Sequence, residues 1–202
     1  MEEACTTVDL ARAECAMREF LTAVGVNLAA RGMEETPTRV AQLYGELFAG
    51  LRADTSKLWA DVLTEKADGL IAVRAIPVYS ICEHHLLPFF GTVHIVYRPH
   101  AGRVAGFGVF TRLVECMARR PQLQERLTAD IASEIEQGLG AEGVLVVLDA
   151  QQLCMTMRGA RAHGTRTTTS ACRGIFCADK TMELQAWQML GEWGSAENIS
   201  LS

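Results

Sequence analysis

With 202 residues, 49% of them apolar, and a formal net charge of −5, the chain is long enough to bury one substantial core with an extension. The acidic balance argues against a nonspecific nucleic-acid binder, which needs a basic footprint, and no apolar run approaches membrane-spanning length. Seven cysteines, in a chain opening Met-Glu-Glu-Ala-Cys without the marks of a signal peptide, lead us to expect a reducing, cytoplasmic setting rather than a disulfide framework.

From the N-terminus, Val8, Leu10, Ala11, Cys15, Met17, Phe20, Leu21 and Val24 give residues 8–31 a helical period. Thr36-Pro37 opens a second predicted helix with proline in its tolerated first turn; Val40, Leu43, Leu47 and Phe48 form its apolar face. A third, short helix is expected over residues 54–63. The turn Ala67-Asp68-Gly69 then marks the expected boundary between an N-terminal helical arm, residues 1–66, and a core, residues 67–202.

Within that core the pattern predicts strands over residues 70–81, 92–98 and 103–107, then helices over 110–119 and 122–139 separated by Pro121. Strands return over 144–153 and 167–176, where β-branched threonines favour extended chain, and a last helix is expected over 180–193. Its Trp187 and Met189 are read as packing residues. The predicted class is α+β, mostly antiparallel strands with helices segregated from them.

Chemistry concentrates at the end of the first predicted strand, in Ser80-Ile81-Cys82-Glu83-His84-His85-Leu86-Leu87-Pro88. Cys82 and His85 have the spacing at which one turn offers a sulfur and an imidazole nitrogen to the same ion. Two ligands hold zinc poorly, and the best candidate for a third is Cys154, just beyond the apolar run 144–148. Three protein ligands leave a position for water, which is the catalytic arrangement. The competing reading is a pair of surface histidines and a buried thiol acting as a small hydrophobe, as Cys116, Cys172 and Cys177 are read. Arg158, Arg161 and Arg166 follow Cys154, with Arg173 beyond. They form either a solvated basic loop or a site for an anionic ligand.

Four blocks in order, Thr36-Pro-Thr-Arg39, Cys82-Glu-His-His-Leu-Leu-Pro-Phe-Phe-Gly91, Ala118-Arg-Arg-Pro-Gln-Leu-Gln-Glu-Arg-Leu-Thr128 and Cys154-Met-Thr-Met-Arg-Gly159, resemble the GTP cyclohydrolase I family. The resemblance implies the tunnelling fold, in which subunits pool antiparallel sheets into a ring with helices on one face. Two rings stack into a homodecamer with active sites between subunits. It also implies zinc held by Cys82, His85 and Cys154, and hydrolytic opening of a guanine imidazole ring at C8, with loss of formate and reclosure to a dihydropterin. His84 then corresponds to the proton shuttle. Glu125 corresponds to the carboxylate that accepts from the guanine N–H and amino group, with Gln124 supporting base binding. Arg39, Arg112 and Arg158 correspond to phosphate contacts.

The chain departs from the family at positions that carry chemistry. Gln152 stands where the family has a histidine, and glutamine holds a hydrogen bond but delivers no proton. Gly106-Phe107-Gly108-Val109 replaces a Gly-x-Ser-Lys that touches ribose and triphosphate, so Gly108 and Val109 bring no polar group. Gln42 replaces a lysine. Two lost lysine contacts at about 1.5–3 kcal/mol each correspond to roughly 10²–10⁴ in triphosphate affinity. The expectation is a cyclohydrolase for a guanine compound with fewer phosphates, stopping at a formylamino- or diaminopyrimidine, in a specialised pathway diverging from folate synthesis. The alternatives are an orthodox GTP cyclohydrolase I and a non-catalytic regulatory relative that binds zinc and a purine.

Overall fold

A computed structural model describes residues 7–191, which divide into two compact units between Ala53 and Asp54. The first holds α1 (Leu10–Ala23) and α2 (Thr36–Leu47). Asp9 caps α1, its carboxylate accepting from the Arg12 N–H at 2.9 Å. The helical period ran to residue 31, but α1 stops at Ala23: Gly25 takes the left-handed φ of +88°, and Asn27 turns its own side chain onto the Ala29 N–H. Proline in the first turn opens α2, as expected.

The second unit is α+β. Of the short helix expected over residues 54–63, only Thr55–Trp59 is helical, and as a 3-10 helix. Asp54 caps it, and the chain then extends into β1 (Leu63–Thr64), paired with β4 (Arg103–Val104). Pairing of Leu63 with Val104 and Thr64 with Arg103 holds the end of the segment extended, and the Trp59 indole lies directly on Gly138, where a Cβ would collide with it.

The main sheet has the order β5-β2-β3-β6-β7, comprising β2 (Ile71–Cys82), β3 (Pro88–Arg98), β5 (Pro121–Gln122), β6 (Gly143–Gln152) and β7 (Thr167–Gly174). All neighbours are antiparallel except β2 and β5, which run parallel. Helices α3 (Phe107–Ala118) and α4 (Gln124–Leu139) cover one face. Val93, Ile95, Val146 and Leu148 from the sheet meet Phe110, Leu113, Leu127 and Ile131 there. The short α6 (Ile175–Ala178) and α7 (Lys180–Met189) supply Phe176 and Ala186 to the other face, with Leu190 just after α7, against Val96, Leu145 and Val147. This double cover explains why β6 reads as an unbroken apolar run rather than an alternation.

Several boundaries moved. β3 begins at Pro88, four residues before the expected start, because its pairing with β2 runs on to Pro88 opposite Ile81 and its pairing with β6 to Phe89 opposite Gln152. The strand expected over 103–107 is only Arg103–Val104, and α3 begins at Phe107. Pro121, read as a separator, is itself part of β5. The last helix ends at Met189, before the left-handed Gly191; Trp193 lies outside the described residues. Trp187 is half-buried against the α7 cluster, whereas Met189 is exposed. Among the described residues no helix is long and apolar enough to cross a membrane.

Candidate metal centre

Topology brings the ends of β2 and β6 together. Both strands pair antiparallel with β3, so they run in the same direction and finish at the same edge of the sheet. Ser80, Phe89 and Gln152 form one row across the three strands. Beyond that row β2 ends at Cys82, and β6 passes into the short helix α5 (Leu153–Thr156), which carries Cys154 in its first turn.

The turn after Cys82 is tightly closed. The Cys82 N–H donates to the Leu87 carbonyl and the Leu86 N–H to the Cys82 carbonyl, both at 2.9 Å. Closure puts Leu86 at a φ of +54°, a left-handed conformation that costs an L-residue about 1–2 kcal/mol. His84 and His85 project from this turn, both exposed, with their rings edge-to-face at 6.2 Å. Glu83, just before them, is anchored by Arg126 of α4 at 2.7 Å.

The two sulfurs of Cys82 and Cys154 and a ring nitrogen of His85 lie within 4.8 Å of one another. Cys82 is buried, Cys154 half-buried and His85 exposed, so the group is closed on the protein side and open on the other. Among the described residues no other three His, Cys, Asp or Glu side chains come as close. Burial pushes the Cys154 thiol pKa up, the adjacent Cys82 thiol adds to that, and Arg158 draws it down. A cation between the sulfurs would reverse the balance by favouring thiolate, so two thiols and an imidazole gathered this way fit a zinc-type metal.

Gln152, at the end of β6, donates its side-chain N–H to the Gln124 carboxamide oxygen at 2.7 Å. Gln124 opens α4 and is 3% exposed; its own nitrogen donates to the Leu148 and Thr167 carbonyls at 3.1 and 2.8 Å, with Thr169 Oγ1 at 3.2 Å. Glu125 follows it in the first turn of α4, exposed. Arg158 lies just beyond α5 and is exposed, and Arg112 is exposed on α3. At the N-terminus of α3, Gly108 has open space where a side chain would go, and Val109 is 6% exposed within the core. Arg39 lies on α2 of the first unit. Arg166 is occupied by Asp149, to whose carboxylate and carbonyl it binds.

Three supporting residues lie inside the sequence blocks singled out above but were given no role there. Arg126 reaches Glu83 across 43 positions. Gln122 donates to the Met117 carbonyl at 2.7 Å and to Ser80 Oγ at 3.1 Å, and Ser80 donates to the Ala118 carbonyl at 2.7 Å. Together they tie β2 to the end of α3 just before Cys82. Only their long-range partners distinguish them from ordinary surface or strand positions.

Residues 13–191 match the family model for GTP cyclohydrolase I. The chain is 46% identical to GTP cyclohydrolase 1 of Carboxydothermus hydrogenoformans over 184 residues, 91% of this chain and 96% of that protein. GTP cyclohydrolase 1 of Geobacillus kaustophilus is 44% identical over 91% of this chain and 97% of its own. The Mycobacterium avium enzyme of the same name is 46% identical, over 90% of each chain.

Proposed function

Because this chain belongs to the GTP cyclohydrolase I family, hydrolases acting on cyclic amidine C–N bonds, we propose that it opens the imidazole ring of a guanine compound at C8 with a zinc ion held by Cys82, His85 and Cys154. The observation that carries the reading is the convergence of those three ligands, open on one side, beside the N-terminal turn of α4. When bound, zinc supplies a water acidified to a pKa of about 7 and hence a nucleophile at neutral pH.

The chain's own residues do the rest. Glu125 offers two acceptor oxygens from the first turn of α4, matching the paired donors of a guanine N–H and amino group. His84, exposed beside His85, is suited to moving a proton at the ring nitrogen released by C8 hydrolysis. Gln152 offers no proton at the position where the family has histidine, which favours a reaction that ends at the formylamino- or diaminopyrimidine. Arg112 and Arg158 are available to phosphate, but Val109 is committed to the core and Arg166 to Asp149. That balance favours a substrate with fewer phosphates than GTP. His85, Glu125, Arg112 and Arg158 are all exposed, consistent with a site completed by a neighbouring copy in a homodecameric ring.

The 46% identity to proteins named GTP cyclohydrolase 1 favours a second reading, conversion of GTP and water to 7,8-dihydroneopterin triphosphate and formate. Zinc-loaded protein given GTP, GMP, guanosine and guanine, with formate assayed and products identified by mass spectrometry, separates the two. Ring-opened pyrimidine from a guanine compound of low phosphate content supports the first, and fluorescent pterin triphosphate from GTP establishes the second. No turnover of any of the four overturns both and leaves a binding role.

A further inference from the structure

The carboxamide of Gln152 has a fixed polarity, and its neighbours reveal which. Gln124 sits against the carbonyl oxygens of Leu148 and Thr167, at 3.1 and 2.8 Å. Carbonyls only accept, so Gln124 must turn its nitrogen to them and its oxygen the other way. That oxygen lies 2.7 Å from Gln152, which must therefore present its own nitrogen. Thr128 reinforces the arrangement, donating to the Gln124 backbone carbonyl at 2.8 Å and lying 2.6 Å from Thr169 Oγ1. Gln152 Oε1 is what remains. Among the described residues no hydrogen bond reaches it, and it belongs to a half-buried side chain two residues before Cys154.

We propose that Gln152 is a substrate-binding residue whose Oε1 accepts from an N–H or O–H of the guanine compound, and that Gln124 is the positioning residue that imposes this polarity. The inference rests on the proposed hydrolase reading. It assigns Gln124 an indirect part: its nitrogen is committed to the fold and its oxygen to Gln152, so it acts on the substrate through its neighbour. The site then favours a ligand atom that carries hydrogen at this point and opposes one offering only a lone pair, because two facing acceptors leave both unpaired.

Guanosine binding to the full chain stripped of metal, measured by calorimetry, tests the proposal without turnover; KM and kcat of the zinc-loaded chain are measured in parallel. Gln152→Leu and Gln124→Leu should each weaken guanosine binding about tenfold, the worth of one hydrogen bond, and the double variant no further. Gln152→His restores an N–H toward Gln124 and leaves a second ring nitrogen to accept, and should recover binding to within about threefold. The losses should appear in KM rather than kcat. Losses that multiply in the double variant, or a Gln124→Leu defect with Gln152→Leu unchanged, would overturn the proposal in favour of direct contact by Gln124. Gln124→Leu strands two buried carbonyls; if it does not fold, Gln152→Leu and Gln152→His decide the matter alone. An unsubstituted zinc-loaded chain that neither binds nor turns over any guanine compound removes the hydrolase reading and the proposal with it. Binding that Gln152→Leu leaves intact removes the proposal only.

Discussion

His94, on β3, should make the sheet sensitive to acid. Its Nδ1 accepts from the Ala75 N–H at 3.4 Å, where β2 bulges and Ala75 takes a φ of +58°, and its Nε2 lies 3.3 Å from Thr92 Oγ1. Burial pushes its pKa down, Asp149 pulls the other way and Arg74 adds to the depression. The folded state therefore prefers the neutral ring relative to an unfolded chain, whose histidines titrate near about 6.5. The contribution is in place above that pH and is lost as pH falls through it toward the folded value. The urea midpoint should drop between about pH 7.5 and about pH 5.5, and drop less in His94→Gln; equal drops would exclude His94 as the cause. At the entry to α3, Gly108 and Val109 behave oppositely. Gly108→Ser meets open space and should leave Tm unchanged while tightening GTP relative to guanosine, by up to about tenfold for one regained contact. Val109→Lys drives a charge into the core and should cost about 2–4 kcal/mol in urea unfolding.

At the scale of elements, the site depends on how closely β3 and β6 approach. Gly91 lies opposite Ala150, and a Cβ there would strike the Asp149 carbonyl and come within 2.7 Å of the Ala150 Cα. Backbone cannot yield as a flexible side chain can, so Gly91→Ala must part the strands. A loss of about 1–3 kcal/mol is expected from overpacking. Because β6 carries Gln152 and leads to Cys154, bound zinc per chain should fall as well. Full zinc content at reduced Tm would show that the site tolerates movement of β6. The turn from Cys82 to Leu87 is the second such element, since two 2.9 Å hydrogen bonds hold Leu86 left-handed to place His85. Leu86→Gly relieves that conformation, and zinc should bind more weakly through a less ordered turn even if the fold gains stability. Equilibrium competition with a chelator measures it.

For the whole molecule, the open side of the centre and exposed apolar groups point to an assembly. Tyr79 is 68% exposed on β2, stacked on Phe90 at 6.1 Å, and Phe107 is 66% exposed at the start of α3. Large apolar groups left in water on a single chain are commonly covered by a partner. Light scattering after size exclusion should give a homodecamer, with activity falling on dilution below its dissociation range. A fully active monomer would refute a site shared between copies.

The sequence by itself determined the α+β class, most of the long elements and the family. Those rest on local periodicity and on short blocks such as Cys82-Glu-His-His, whose spacing survives in one dimension. It misplaced elements wherever a distant contact decided the outcome. Pairing of Leu63 and Thr64 with β4 cut the expected third helix short, and pairing with β2 lengthened β3 back to Pro88. The sequence nominated Cys82, His85 and Cys154 as one ligand set, but their meeting in one corner is the work of the tertiary structure. The same holds for Arg126 anchoring Glu83 and for Gln152 and Gln124 forming a hydrogen-bonded pair. Side-chain type and spacing are written along the chain, whereas proximity and the polarity of a carboxamide are set by strands and helices dozens of residues apart.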